Sequence, residues 1–422
     1  MKHPTLKSVR GMKDGLPINN ELRQVAESKI IEQAQLFNYE EIKLPIVEYS
    51  EVFKRGIGSN TDVINKEMYS FKDRNGESLS LRPEGTAGCV RAIIENKLLV
   101  SPPLRLWYFG DMFRYERPQK GRQRQFTQFG FELFGIEEIY GEFEIICMIE
   151  AIWDALKING LKLEINSLGS DKDRNQYIEA LKTYFKKYKS DLDNSTNETL
   201  NKNPLRLLDS KNPSIKEIKA GAPKIQKFLS RDSAFRLENL RDILFSNNIE
   251  TYVNSYLVRG LDYYSDIVFE WKTTKLGSQD AVCAGGRYDS LIKKMGGKND
   301  AAVGCAIGFD RVIALLSESQ FEYENKAKIY LTATSDKLDI EVLKLWKTIK
   351  NEIPEDIIII HLNQGSLKSR LKKADKSGAY AAIIIGEDEL KKGEILVKPL
   401  RLQKEQISCR KDELRKILKG FS

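Results

Sequence analysis

A chain of 422 residues with 41% hydrophobic and 30% charged residues is too long for one ordinary core and reads as a globular protein of two or three domains. Its formal net charge is +8, it has two histidines, and its five cysteines lack CxxC spacing, which leaves almost nothing for a zinc centre, a disulfide framework or Ser-His-Asp chemistry. No segment approaches the ~18 uncharged apolar residues of a membrane span, and the basic start MKHPTLKSVRG lacks an apolar signal core, so no membrane partner and a cytoplasmic location are expected.

Apolar positions Leu22, Val25, Ile30, Ala34 and Phe37 recur at helical spacing and predict a helix over Asn20–Phe37, broken by Asn38, Tyr39 and Pro45 into an extended segment. Arg74-Asn75-Gly76 reads as a hairpin turn between the strands MYSFKD and ESLSLR. A helix is expected from the Pro83-Glu84-Gly85-Thr86 turn through Cys89 to Leu98, followed by strands to about Phe134. The most informative stretch is Met112–Phe134, which reads as two strands joined by a basic loop. One strand parity holds Arg114 and Glu116 before the loop, then Arg124, Phe126, Gln128, Gly130 and Glu132 after it; the other holds Phe129, Phe131 and Leu133. Because successive strand residues face opposite ways, a cation, a ring, an amide and a carboxylate point together while the phenylalanines pack. That pattern fits either a ligand site or an exposed hairpin with a charged face.

From Asp171 to about Glu250 the chain turns helical, polar and lysine-rich, as an insertion between two pieces of one sheet. Strands are expected at Thr251–Val258 and Asp266–Trp271, then come the glycine-punctuated CAGGRYDSL and AAVGCAIGFDRVIALL, the latter a strand leading into a helix. After a linker at Ser319–Ala327, apolar strands (KIYLTATS, IIIIHL, YAAIIIG) alternate with helices, which predicts a small doubly wound α/β domain. The runs Ile357–Ile360 and Ala381–Ile385 have the length of buried strands, and His361 reads as a satisfied structural histidine. Residues 326–422 carry 21 Lys and Arg against 14 Asp and Glu, a basic excess that fits a polyanion partner or a solvated lysine-rich surface.

Five segments gain force together: LRPEGTAG (Glu84, Thr86), the hairpin, LVRGLDYY (Arg259, Asp262, Tyr263, Tyr264, at a strand end), AGGRYD (Gly285, Gly286, Arg287, Tyr288) and GFDR (Arg311, in the first turn of a helix). The chain resembles the class II aminoacyl-tRNA synthetases and, within them, the histidyl-tRNA synthetase family. FNYEEIKLPIVEY is similar to the first class motif, the hairpin to the second and GFDR to the third; LVRGLDYY and AGGRYD resemble the family's own two signatures. The resemblance runs from VRGMKD at Val9 to the tail and weakens in the insertion.

It implies an α+β catalytic domain built on a mostly antiparallel sheet (1–170 and 251–320), a helical insertion domain (171–250) and a C-terminal α/β anticodon-binding domain (326–422). The implied activity is ligation of histidine to its tRNA with ATP, by a homodimer, with Mg²⁺ arriving bound to ATP and no dedicated protein cage for a metal. Arg114 and Arg259 would be catalytic, flanking the α-phosphate. Glu84, Gly85, Thr86, Arg114, Gln128, Glu132, Arg259, Tyr263, Tyr264 and Tyr288 would hold histidine, although Tyr263 also reads as a core aromatic. Arg114, Glu116, Arg122, Phe126 and Arg311 would hold ATP, with Arg124 an alternative to Arg122 near the pyrophosphate. In the loop Arg117-Pro118-Gln119-Lys120-Gly121, Arg117 and Gln119 would read the tRNA acceptor end. Arg287 and Arg124 read equally as partners of buried carboxylates. The rivals are an inactive paralogue serving as a regulatory subunit of ATP phosphoribosyltransferase, or as a tRNA-binding sensor module.

Overall fold

The computed structural model describes residues 5–421 except 59–60, 120, 211, 213–214, 278–279, 299, 320, 323–327 and 363–364. The linker expected at Ser319–Ala327 lies largely outside the described residues. The chain divides into two compact units, 1–321 and 322–422.

The first unit opens with α1 (Pro17–Leu36), whose proline sits in the first helical turn where no backbone donor is needed. There follow β1 (Glu40–Glu41), β2 (Val47–Tyr49), α2 (Ser50–Ile57), β3 (Ser70–Lys72), β4 (Ser78–Leu81), α3 (Thr86–Glu95), β5 (Leu104–Phe113), β6 (Gln125–Phe134), α4 (Tyr140–Ala155) and β7 (Lys162–Ser167). Five helices come next: α5 (Asp171–Lys186), α6 (Asn194–Lys202), α7 (Arg206–Asp209), α8 (Lys216–Ala220) and α9 (Arg231–Ser246). The unit closes with β8 (Thr251–Val253), β9 (Ile267–Lys272), β10 (Ala281–Arg287), α10 (Ser290–Lys294), β11 (Ala302–Gly308) and α11 (Phe309–Glu318).

Among the described residues, eight of these strands form one sheet in the order β1-β5-β6-β11-β10-β9-β7-β8. Every pairing from β5 to β7 is antiparallel, and only the two edge pairings are parallel. One face is buried: Phe129, Phe131 and Leu133 of β6 join Val303, Cys305 and Ile307 of β11 against Ala26, Ile30 and Ala34 of α1 and the apolar face of α4. The i, i+4, i+8 spacing of those three α1 residues places them on one helix face, which is why a weakly amphipathic sequence packs there. The alternate residues of β6 turn to the other face, where the cleft lies.

In the first unit three expectations need correction. The first strand of the hairpin starts earlier, at Leu104, and ends at Phe113, so Arg114, Glu116 and Arg124 lie in the connecting loop, closed by Arg114 N–H donating to Arg124 O at 2.9 Å. LVRGLDYY is not at a strand end; the strand predicted to Val258 stops at Val253 and the motif occupies the long β8–β9 connection. Gly285 and Gly286 lie within β10, where an added Cβ at Gly285 would sit 2.3 Å from Gly304 O across the ladder. The helix expected to Leu98 ends at Glu95.

In the second unit β12 (Lys328–Ala333), α12 (Asp339–Glu352), β13 (Ile357–Ile360), α13 (Leu367–Lys376) and β14 (Ala381–Ile385) alternate as expected. They are followed by α14 (Glu387–Lys392), β15 (Glu394–Pro399), β16 (Ile407–Arg410) and α15 (Leu414–Lys419), which lie beyond the elements expected from the sequence. The sheet order is β13-β12-β14-β15-β16, with the last two pairings antiparallel. β14 is fully buried, but β13 is an edge strand whose Ile357 and Ile360 stay exposed, so its isoleucine run is not a buried strand. His361 is buried and stacked on Tyr330 with ring centroids 5.8 Å apart, and its Nε2 has no hydrogen-bond partner among the described residues.

Candidate active site

On the open face of the large sheet lies a cleft of about 600 Å³. Glu84, Gly85, Thr86, Arg114, Glu116, Arg122, Phe126, Gln128, Arg259, Tyr263, Tyr264 and Arg311 all line it. Glu132 and Tyr288 are not in the lining itself; Glu132 joins it through Thr86 and Tyr108, and Tyr288 through Glu132. Arg117 and Gln119 are exposed and outside the lining, with Gln119 and Arg122 exchanging both backbone hydrogen bonds at 3.0 Å. Lys120 lies outside the described residues.

The floor is a buried carboxylate cradle. Glu132 is fully buried on β6; its Oε1 accepts from Thr86 Oγ1 at 2.7 Å and from Tyr108 OH at 3.0 Å, and its Oε2 accepts from Tyr288 OH. Two glycines make room: a Cβ at Gly304 would overlap Glu132 Oε2 and one at Gly130 would overlap the Tyr108 ring, each within about 2 Å. Burial pushes the Glu132 carboxyl up to about 8, although the Tyr288, Thr86 and Tyr108 hydroxyls pull the other way. Glu84 accepts from the N–H groups of Thr86 (2.8 Å) and Ala87 (2.9 Å) at the start of α3, and Tyr263 OH lies 3.5 Å from its Oε2. Burial raises this carboxyl too, against those backbone donors and Arg114.

Above the floor, arginines converge from three separate segments. Arg114 donates to Pro83 O at 2.9 Å and its guanidinium lies 5.3 Å from the Phe126 ring centre. Arg259, from the β8–β9 connection, pairs with Glu270 at 3.2 Å and lies 5.5 Å from the Tyr264 ring centre. Arg311, in the first turn of α11, donates to Gly121 O at 3.2 Å and to Ala281 O. Burial lowers the pKa of Arg114, and the nearby Arg259 charge adds to that; for Arg311 burial acts with Arg114 and Arg122. Cations that depress one another make a field that a bound polyanion relieves. Glu116 is held by Arg122, whose Nη2 donates to Oε1 at 2.8 Å.

Arg287 stands apart from the cleft. It is buried in a two-pronged ion pair with Glu142 and also donates to the Ile136 and Glu138 carbonyls, so its work is structural. Arg124 donates to Glu116 O and lies 3.9 Å from the Tyr115 ring centre, bracing the loop. Sequence reading missed Tyr108, whose signal is cross-strand: β5 pairs Leu106 with Glu132, Tyr108 with Gly130 and Gly110 with Gln128, which puts Tyr108 on the same face as Glu132. It also missed Arg23 of α1, which donates to Asp310 Oδ1 at 2.8 Å and Thr127 Oγ1 at 3.2 Å and so ties the start of α11 to β6. A third omission is the contribution of the helical segment: Thr196, Thr199, Arg206, Ser210 and Asn212 line the cleft.

An antiparallel sheet presenting a hairpin arginine, a helix-start arginine and a buried polar floor, in a chain with a second α/β unit, is the architecture of a class II aminoacyl-tRNA synthetase. Residues 11–312 match the histidyl-tRNA synthetase family and residues 327–420 the anticodon binding domain family. The chain is 44% identical over 419 residues to a histidine–tRNA ligase of Hydrogenovibrio crunogenus, covering 98% of this chain and 97% of that one. Its structure is similar to apo histidyl-tRNA synthetase of S. aureus, with TM-score 0.80 and 30% identity over 98% of this chain and 100% of the other. It also shares its fold with an ATP phosphoribosyltransferase regulatory subunit/histidyl-tRNA synthetase of Bacillus halodurans, with TM-score 0.65 and 21% identity over 91% and 99% of the two chains. The chain belongs to the histidyl-tRNA synthetase family. Among the described residues no helix is long and apolar enough to cross a membrane.

Proposed function

We propose that this cleft carries out both half-reactions of a histidine–tRNA ligase. In the first, a carboxylate oxygen of histidine attacks the α-phosphorus of ATP, and the bond to pyrophosphate breaks. Negative charge grows on the α-phosphate oxygens, and paired guanidinium donors in a confined site stabilise it strongly. Arg114 and Arg259 approach from opposite sides of that phosphate, Arg311 holds the γ-phosphate and Arg122 the pyrophosphate end. Phe126 stacks on adenine, and Glu116 turns from Arg122 toward the adenine amino group. Mg²⁺ enters with ATP as part of the substrate.

Histidine lies across the floor. Its amine and carboxylate meet Glu84, Thr86, Gln128 and the Gly85 backbone, and its imidazole is read by Glu132, Tyr264 and Tyr288, with Tyr263 orienting Glu84. A site built to hydrogen-bond both ring nitrogens rejects analogues that lack them, by ~10⁴ or more, because buried polar groups would be left unpaired. In the second half-reaction the 3′-terminal hydroxyl of tRNA attacks the histidyl carbonyl carbon and AMP leaves. A phosphate oxygen of the adenylate takes the hydroxyl proton, so no enzyme base is required. Arg117 and Gln119 engage the acceptor end. Residues 171–250 act as an insertion domain, residues 326–422 engage the anticodon, and the working molecule is a cytoplasmic homodimer.

The observation that carries this reading is the convergence of Arg114, Arg259 and Arg311 on one cleft above the Glu132 cradle. A regulatory paralogue or a tRNA-binding sensor would need basic surfaces, not three arginines aimed into a pocket. Arg259→Ala should cut histidine-dependent pyrophosphate exchange by ~10³-fold while leaving histidine binding largely intact, since the lost contact serves charge formed in the transition state. An unchanged exchange rate would remove Arg259 from this role.

A further inference from the structure

The helical segment between β7 and β8 does more than line the cleft. Three of its side chains hold the connection that carries Arg259 and Tyr264. Arg206 of α7 donates through Nη1 to Asp62 Oδ2 at 2.9 Å and through Nη2 to Gly260 O at 3.3 Å. Asn203 donates to Asp262 Oδ1 at 3.2 Å. Arg174 of α5 donates to Tyr264 O at 3.1 Å and lies 3.5 Å from Asp262 O. From the catalytic side the same stretch is held by Asp262 N–H donating to Ile57 O at 3.1 Å, where Gly58, with φ of +97°, lets Asp262 pack against the chain.

A connection of thirteen residues without regular structure has no ladder of its own to fix it, so its geometry comes from such contacts. Arg206 bridges two parts of the catalytic unit, the segment after α2 and the carbonyl next to Arg259. Its guanidinium is suited to this, since the planar fork serves two acceptors at fixed angles where an ammonium serves one point. Arg206 exposes only 17% of its side chain but Asp62 exposes 56%, so the Asp62 arm is a solvent-screened pair and the placement of the guanidinium rests on serving both acceptors together.

We infer that Arg206 and Arg174 are positioning residues for adenylation, acting through the 259–264 connection: Arg206 sets the placement of Arg259, and Arg174 that of Tyr264. The division follows from where each bond lands. Losing the Arg206 bond frees the carbonyl beside the arginine that meets the α-phosphate. Losing the Arg174 bond frees the backbone of the tyrosine that meets histidine. The inference rests on the roles proposed above for Arg259 and Tyr264.

The test is pyrophosphate exchange by the full chain, with kcat and KM for histidine measured separately and the melting temperature recorded. Arg206→Met keeps the aliphatic stem and removes both bonds; it should lower kcat by on the order of ten- to a hundredfold with KM for histidine nearly unchanged. Arg174→Met should raise KM for histidine severalfold with a smaller effect on kcat. Arg206→Lys should recover part of the kcat loss. Should Arg206→Met fail to fold, Asp62→Ala removes the same bridge from the catalytic side without altering the helical segment, and should reproduce a lesser kcat loss. Wild-type kcat in both Arg206→Met and Asp62→Ala would overturn the inference, as would a parallel loss of kcat, KM and melting temperature in both Met variants, which marks a merely structural role. Arg259→Ala run beside them separates the two claims: if it is inactive while Arg206→Met is normal, only the positioning inference falls; if it is active, the role of Arg259 falls first.

Discussion

Glu132 is the residue on which the floor of the site depends. Its carboxyl is pushed by burial from an ordinary 4.5 to about 8, so between those values the folded chain holds a proton that the unfolded chain has released. The stability this contributes is therefore complete below about 4.5 and is lost as pH rises through about 8. Glu132→Gln, which cannot ionise, should gain melting temperature relative to wild type between pH 6 and pH 9; a constant gap across that range would contradict the assignment. Tyr108, though hidden from single-strand reading, is bound to the same carboxylate. Tyr108→Phe should raise KM for histidine about fivefold, the worth of one ~1 kcal/mol hydrogen bond, and an unchanged KM would show that Tyr288 and Thr86 suffice to orient Glu132.

At the scale of elements, the hairpin separates into two parts with different work. β6 was legible because its side chains alternate with period two: Phe129, Phe131 and Leu133 went to the core, and Phe126, Gln128 and Glu132 to the other face. The ends of the strands were not legible, because the period-two pattern of Arg114, Glu116 and Arg124 runs on into a loop of eleven residues, held by Arg114 N–H on Arg124 O and by the Gln119–Arg122 pair. The β8–β9 connection was misread for a related reason. Its apolar residues, Leu257, Val258 and Leu261, resemble a strand in sequence but pack as a loop, and the residues that hold it, Arg174, Asn203 and Arg206, come from far along the chain. The hairpin loop makes its own prediction. Arg117 and Gln119 are exposed and outside the cleft lining, so Gln119→Ala should reduce charging of histidine tRNA about tenfold or more while sparing pyrophosphate exchange, the cost of lost base-edge contacts. Equal loss in both assays would contradict a role confined to tRNA.

At the scale of the whole molecule, the two units differ in how openly their sequences declare them. The second unit could be read through β14 from strands alternating with helices, whereas its antiparallel end was passed over, although β15 carries the alternating buried residues Ile395 and Val397; only β16 is short and mostly exposed. Its charge, an excess of seven positive charges over residues 326–422, fits either a polyanion partner or a solvated lysine-rich surface; under the proposed anticodon role, counterion release makes binding steeply salt-dependent. Raising salt from 50 to 200 mM should therefore lower kcat/KM for tRNA by at least ~10-fold, with a much smaller change in KM for histidine, whose proposed partners Glu84, Thr86 and Glu132 are buried. Similar salt sensitivity for both substrates would contradict the proposed division of labour. The central claim is that the cleft activates histidine. Its most direct test is amino-acid-dependent exchange of pyrophosphate into ATP by the purified full chain, with each of the standard amino acids in turn: exchange with histidine far above all others is the predicted result, and no exchange with histidine would contradict it.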